Sequence, residues 1–346
     1  MKLREEIGSN FAIDNQWFDT INPPTNIIND SNVVVLSGRT AIDIIAQQIP
    51  QGTTWFLPAY CCDSMVFPIQ LHHKHIEYYD IAWNNGHFYA DIPTPSDNSV
   101  IFLCNFFGCG CGFNADEITR LKQQGPTIIY DHTHAAFNTD DDILAIADYH
   151  FASLRKWLPI ASGALLHTPQ NVALPELRMY PHTHLQWQGM LLKNDYLNGQ
   201  LNDKELFFTY FHRFAELLLT DYRHYAPDND SIGYIQHVDI NGILRRRESN
   251  ANLLHEAFKK AHLEFPECQT DFLFVPIFLP NERRNCLRQY LTDNNIYCPI
   301  HWPRPEHTKQ FTEASKIYDS ELSIICDQRY DNNDMERIIN TINQYL

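Results

Sequence analysis

Asp148-Tyr149-His150-Phe151-Ala152-Ser153-Leu154-Arg155-Lys156-Trp157-Leu158-Pro159-Ile160-Ala161-Ser162-Gly163-Ala164 is the stretch on which the reading of this chain turns. At its centre Lys156 sits among apolar neighbours, followed by a loop and the strand-like run Gly163-Ala164-Leu165-Leu166-His167. An ammonium beside Trp157 and Leu158 is either turned out to water or held as a neutral amine able to form an imine with an aldehyde. Taken alone, a lysine favours the first reading, because lysines are mostly surface residues. Two upstream stretches reverse that balance. Val33-Val34-Val35-Leu36-Ser37-Gly38-Arg39-Thr40-Ala41 and Thr127-Ile128-Ile129-Tyr130-Asp131-His132-Thr133-His134 are also strand-to-loop junctions carrying polar groups.

In the first of these, a β-branched run leads into the turn Ser37-Gly38-Arg39, and Ala41, Ile44, Ile45 and Ile49 then fall at helical spacing. A glycine turn ahead of a helix N-terminus presents backbone N–H groups and a positive dipole end, which suit a phosphate. Any strand-to-helix junction can use a glycine, so the motif is weak by itself. Further strands are expected at 54–58, 76–81, 99–105 and 127–131. A helix is expected at 63–71, and another is capped by Asn114 with Glu117 three positions on. This alternation predicts a mostly parallel sheet covered on both faces. Ligand groups then come from strand carboxyl ends, where Ser37 to Thr40, Phe106 to Gly108, Asp131 to His134 and Ser153 to Lys156 fall. Helices are expected at 205–222 and 241–262. Beyond them, strands at 272–279, 296–302 and 322–326 with helices at 282–292 and 334–346 indicate a smaller α/β domain. The expected division is an N-terminal arm over 1–30, a large domain over 31–240 and a small one over 241–346.

A length of 346 residues allows such a pair of domains. The net charge of −16 argues against a passive polyanion-binding surface, so nucleic acid is not an expected partner and any phosphate must be held by a local pocket. Nine cysteines, an odd number in largely apolar surroundings, suit reduced thiols in a cytoplasm. Met1-Lys2-Leu3-Arg4-Glu5-Glu6 lacks an apolar signal core and no run approaches transmembrane length, so a soluble cytoplasmic protein without a membrane partner is expected. His72-His73-Lys74-His75, Cys109-Gly110-Cys111 and His182-Thr183-His184 lack the paired spacing of a zinc site, and no metal is expected.

Lysine, phosphate-type loop and strand-end aspartate together point to a pyridoxal 5'-phosphate site. With them the chain resembles the fold-type-I pyridoxal-phosphate aminotransferases, most closely the DegT-like sugar aminotransferase family. The similar features are Ser37-Gly38-Arg39-Thr40-Ala41, Leu57-Pro58-Ala59-Tyr60, Phe107-Gly108, Tyr130-Asp131-His132-Thr133-His134-Ala135 and Ser153-Leu154-Arg155-Lys156. Near the C-terminus they are Ile296-Tyr297-Cys298-Pro299-Ile300-His301-Trp302 and Arg329-Tyr330 through Ile339. The resemblance spans most of the chain after residue 31. It implies a three-layer α/β/α fold of the aspartate aminotransferase type with a smaller C-terminal α/β domain.

By the same resemblance, Lys156 is the catalytic lysine that holds the cofactor as an imine and then shuttles a proton. Asp131 grips the pyridinium nitrogen, a strand-end cap being its plainer alternative. His134 lies near the ring oxygen, unless it is a structural imidazole. Ser153, with Gly38 and the backbone of Arg39 and Thr40, takes the phosphate. Tyr60 or Phe107 covers the ring, since Cys61 and Cys62 stand where the family has an aromatic residue. Two departures are the serine, three residues before the lysine rather than five, where Phe151 stands, and Ser162-Gly163 in place of an acidic-glycine pair. A homodimer is implied, with Asn250 or Arg247 donated to the neighbouring site or else lying on a solvated helix face. Arg329 either meets a substrate carboxylate or pairs with Asp327. The implied reaction moves an amino group from glutamate to a keto group of a nucleotide-linked sugar. Another fold-type-I reaction (amino-acid aminotransferase, lyase or dehydratase) and a binding or sensory protein with little turnover are the alternatives.

Overall fold

Val100-Ile101-Phe102-Leu103 is apolar at every position because the strand it belongs to is covered on both faces; all four side chains are 0% exposed. Alternate residues of a strand point to opposite faces. Accordingly Val100 and Phe102 join one hydrophobic cluster while Ile101 and Leu103 join another. Ile129 and Ile128 divide in the same way on the neighbouring strand. Each such side chain contributes about 1.5–3 kcal/mol by leaving water, which fixes the register strongly. A computed structural model describes residues 6–14, 27–28, 32–92, 94–170, 172–266, 269 and 271–346 of the chain.

The central sheet has eight strands in the order Val33–Val35, Ala164–His167, Tyr149–Ser153, Thr127–Asp131, Ser99–Cys104, Thr54–Pro58, His75–Asn84, His87–Asp91. The pairings from Tyr149–Ser153 across to His75–Asn84 are all parallel. Ala164–His167 is antiparallel to both its neighbours, so Val33–Val35 again runs with the parallel set. Hence Leu36, Cys104, Asp131 and Ser153 leave the sheet along one edge. Helices Gly38–Gln48, Asp63–Leu71 and Ala115–Lys122 connect the strands, the last with the capping box expected from Asn114 and Glu117.

Two departures from expectation have local causes. The edge strand His87–Asp91 was not foreseen, although Asn85-Gly86, both at positive φ (48° and 81°), form the tight turn that starts it. The helix Thr183–Leu197 was missed because it packs around its circumference rather than on one stripe; Gly189 lets it approach Phe211, whose ring a Cβ would meet at 2.7 Å. The strand expected at 296–302 is limited to Ile296–Tyr297.

A separate hydrophobic cluster gathers residues from the helix Ile240–Lys260 onward, including Leu254, Val275, Leu287, Ile324 and Ile338. Ile7 belongs to it, because Ile7–Gly8 pairs in parallel with Ile296–Tyr297. The rest of the arm expected over 1–30 falls largely outside the described residues. Among those described, no helix is long and apolar enough to cross a membrane.

Candidate active site

Lys156 closes a short 3-10 turn, Leu154–Lys156, at the end of the strand Tyr149–Ser153. Trp157 and Leu158 turn inward and are fully buried, so the turn aims Lys156 the other way. The lysine stands exposed inside a cavity of about 220 Å³. The walls include Gly38 and Arg39 from the first helix, Cys62 and Ser64, Asp131, Thr133 and His134, then Ser153, Arg155 and Trp302. Six of the expected residues, Gly38, Arg39, Asp131, His134, Ser153 and Lys156, are thus brought to one space from three strand ends.

The electrostatics of this space are unusual for an acidic chain. Solvent reaches the Lys156 amine from the cavity, yet the surrounding protein withdraws bulk water and holds its pKa below the ordinary value. Arg155 and Arg39 push it the same way, against Cys62 and Asp131. Among the described residues Lys156 has no hydrogen bond or ion pair. Burial, with Arg39 nearby, pushes the Arg155 guanidinium down to about 10. The Nε atoms of Arg39 and Arg155 are both buried without a hydrogen-bond partner. Two unneutralised guanidiniums beside a helix N-terminus form an anion site.

Asp131 lies opposite Cys104 on one side and Phe151 on the other and is 4% exposed. Its Oδ1 accepts the Thr133 N–H at 2.9 Å. Burial raises its pKa to about 6, against the opposing pull of Thr133 and Lys156. His134 is 5% exposed, and its Nδ1 accepts the Phe107 N–H at 3.1 Å. Burial first, then His301 and Lys156, hold its pKa well below the usual range. The neutral ring must therefore carry its proton on Nε2.

Gly38 stands on the cavity wall in the first turn of the helix that Ser37 caps. Three expectations are corrected. The Thr40 N–H donates to Ser37 Oγ at 3.3 Å and its hydroxyl to the Tyr222 carbonyl at 2.8 Å, leaving neither for an anion. Tyr60 and Phe107 are fully buried behind the wall. The Tyr60 hydroxyl donates to the His301 carbonyl, and Phe107 packs on His134 and His301; the aromatic rings on the cavity wall are instead Trp302 and Phe151, with the His134 imidazole. Asn250 is 0% exposed, its amide donating to the carbonyls of Cys326, Asp327 and Tyr330 at 3.0–3.2 Å. A side chain so enclosed cannot be offered to another subunit. Arg247 is likewise buried, on Gln328 Oε1 and the Phe272 and Leu273 carbonyls. Arg329 pairs with Asp327 at 2.7 Å.

Sequence reasoning missed Arg155 and Trp302. Arg155 had a signal, being a second basic residue beside the chosen lysine. Trp302 comes from the far end of the chain, and packing against Tyr60, at 5.1 Å between rings, and His134, at 5.8 Å, places it here.

No family model matches the chain, and no curated protein matches it. Solved structures do. A Streptococcus pneumoniae protein assigned as a sugar aminotransferase (Spr1654), in its PMP form, is 13% identical over 98% of this chain and 97% of its own, with a TM-score of 0.67. The aminotransferase TlmJ from Streptoalloteichus hindustanus is 13% identical over 91% of this chain and 85% of its own, at 0.58. A NifS-like protein is 9% identical over 91% and 82%, at 0.57. The chain has the pyridoxal-phosphate-dependent transferase fold. At these identities the likeness is one of fold, and it runs the length of the chain.

Proposed function

We propose that this protein is a pyridoxal-phosphate-dependent aminotransferase that moves an amino group from glutamate to the keto group of a nucleotide-linked sugar. The observation that carries the reading is the cavity itself: an unpartnered Lys156 with a lowered pKa, a buried Asp131 carboxyl and two guanidiniums with unsatisfied Nε atoms share it. The residues fit the cofactor. Arg39, Arg155, Ser153 and the helix N-terminus at Gly38 would hold its phosphate. Asp131 would hold its ring nitrogen, His134 its ring oxygen, and Trp302 would lie against the ring. When bound, the cofactor supplies an aldehyde for an imine and a ring that accepts an electron pair from the substrate carbon.

The chain's own groups do the rest. Lys156, its pKa held below the ordinary value by its surroundings, is the nucleophile, and its Nζ carries a proton to and from the substrate carbon. Asp131 would pair with the ring nitrogen and favour its protonated form. His134, with its proton on Nε2, would donate to the ring oxygen. The sugar acceptor is supported by the Streptococcus pneumoniae protein's assignment and by a further fold neighbour, a DegT DnrJ EryC1 StrS aminotransferase from Brucella abortus. The reading includes a division near residue 240, Ile7 belonging with the smaller unit, and a cytoplasmic location, in keeping with cysteines that are all free among the described residues. It also includes a homodimer. Phe67 and Leu71, 46% and 49% exposed, stand one turn apart on the helix that begins at Cys62 on the cavity wall, an apolar pair suited to a subunit contact.

The test is direct. Full-length protein with pyridoxal phosphate should be yellow, borohydride should fix the cofactor to the peptide containing Lys156, and glutamate should discharge the colour. A parent as colourless as its Lys156→Ala variant after cofactor addition sinks the reading. Colour discharged by another amine but not by glutamate would favour the lyase or amino-acid aminotransferase alternative.

A further inference from the structure

Past Lys156 the first cavity adjoins a larger one of about 740 Å³, which shares Ser153, Arg155 and Lys156 with it. One wall of this compartment is the N-terminal segment Ser9-Asn10-Phe11. The segment is a strap tied at both ends. Before it, Ile7–Gly8 pairs with Ile296–Tyr297 in the second cluster; after it, the Ile13 N–H donates to the Met190 carbonyl at 3.3 Å. Its backbone is held by cations from both sides. Arg329, while paired with Asp327, donates to the Gly8, Ser9 and Asn10 carbonyls at 3.4, 3.2 and 3.0 Å, and its guanidinium lies 4.4 Å over the Phe11 ring. Lys193, 1% exposed, donates to the Asn10 carbonyl at 2.6 Å and bridges Glu6 at 2.8 Å.

With the carbonyls so committed, the strap faces the compartment with a half-buried phenyl ring and two neutral polar side chains. Of the cations beside the strap, Arg329 is engaged on Asp327, Lys204 on Glu6, Arg247 on carbonyls and Arg288, through Nε, on the Cys298 carbonyl. Such a wall reads C–H faces and hydroxyls and carries no charge of its own. We propose that the Ser9-Asn10-Phe11 strap is the specificity wall of the acceptor compartment, with Phe11 as its selecting contact and Arg329 and Glu6 as positioning residues. This rests on the aminotransferase reading above.

The experiment uses the full-length enzyme reconstituted with pyridoxal phosphate, glutamate as donor, and a nucleotide-linked keto-hexose or pyruvate as acceptor. Phe11→Ala should raise KM for the keto-hexose about tenfold with kcat within about twofold, the loss of one pocket contact. The glutamate half-reaction and the KM for pyruvate should not move. Phe11→Trp, which narrows the compartment, should lower kcat/KM for the keto-hexose selectively. Independently of turnover, the keto-hexose should slow hydrogen exchange of residues 6–14 in the parent enzyme. Two folded variants with parental KM values, or strap amides indifferent to the keto-hexose, overturn the proposal while leaving an active aminotransferase. A parent enzyme that exchanges amino groups with no donor brings down the functional reading itself and this inference with it.

Discussion

Replacing Asp131 with asparagine should make the cofactor-free protein more stable and the cofactor-loaded protein less competent. The carboxyl is 4% exposed and its pKa is raised from 3.8 to about 6. A raised carboxyl pKa means that the folded state holds a proton that the unfolded chain releases. The group's contribution is therefore most favourable below pH 4, declines as pH rises through the window from about 4 to about 6, and stays low above it. At about 1.4 kcal/mol per pKa unit, ionising Asp131 costs about 3 kcal/mol at pH 8. The Asp131→Asn substitution removes that cost and keeps an oxygen for the Thr133 N–H, which the native carboxylate accepts at 2.9 Å. Urea denaturation of the cofactor-free proteins should show no difference near pH 4 and a gain of about 2–3 kcal/mol for Asp131→Asn at pH 8. With cofactor, losing a charge-assisted hydrogen bond should weaken binding by about 10- to 100-fold. A variant less stable than the parent at pH 8, or a stability difference that does not change between pH 4 and pH 8, refutes the reasoning.

Arg155→Gln should lower affinity for pyridoxal phosphate by about 10- to 100-fold and leave affinity for unphosphorylated pyridoxal unchanged, as read by absorbance titration, if the unsatisfied guanidinium is a phosphate arm. Lys156, with its lowered pKa and its place in an open cavity, should react with an amine-directed reagent at pH 8 faster than the surface lysines, Lys74 and Lys193 being buried, an advantage that peptide mapping would show fading above pH 10 as ordinary lysines also deprotonate. Asn250→Ala should cost about 3 kcal/mol or more in denaturation because it strands three buried carbonyls, while turnover per folded molecule stays at the parental level.

Much of the fold was legible because the central strands carry their covering on both faces as unbroken apolar runs. The limits of Thr54–Pro58, Asp63–Leu71 and Thr127–Asp131 can be taken directly from the sequence. The candidate site was legible where its residues sit at strand ends, as with Asp131, Ser153 and Lys156, since strand order and direction alone bring such positions to one edge. It was not legible where a side chain's task depends on what lies behind it. Tyr60 and Phe107 look like ring covers in the sequence, but their polar groups and faces are engaged by His301 and His134. Asn250 looks free on a basic helix, yet the carbonyls that use its amide come from residues 76–80 positions away.

The charge balance shows why the local and global readings differ. A chain of net charge −16 repels anions on average, but Arg39 and Arg155 are half-buried beside Lys156 with their Nε atoms out of water, where the screening and the long-range acidic field both matter less than the nearest partner. The nearest carboxyl, Asp131, has a raised pKa and is a poor counter-ion when the cavity holds no ligand. A dianion bound at Arg39 and Arg155, with a cationic ring held at Asp131, would neutralise both ends at once. Raising salt should therefore weaken cofactor binding only modestly, in contrast to a surface polyanion site, and a steep salt dependence in the same titration would place the anion outside the cavity.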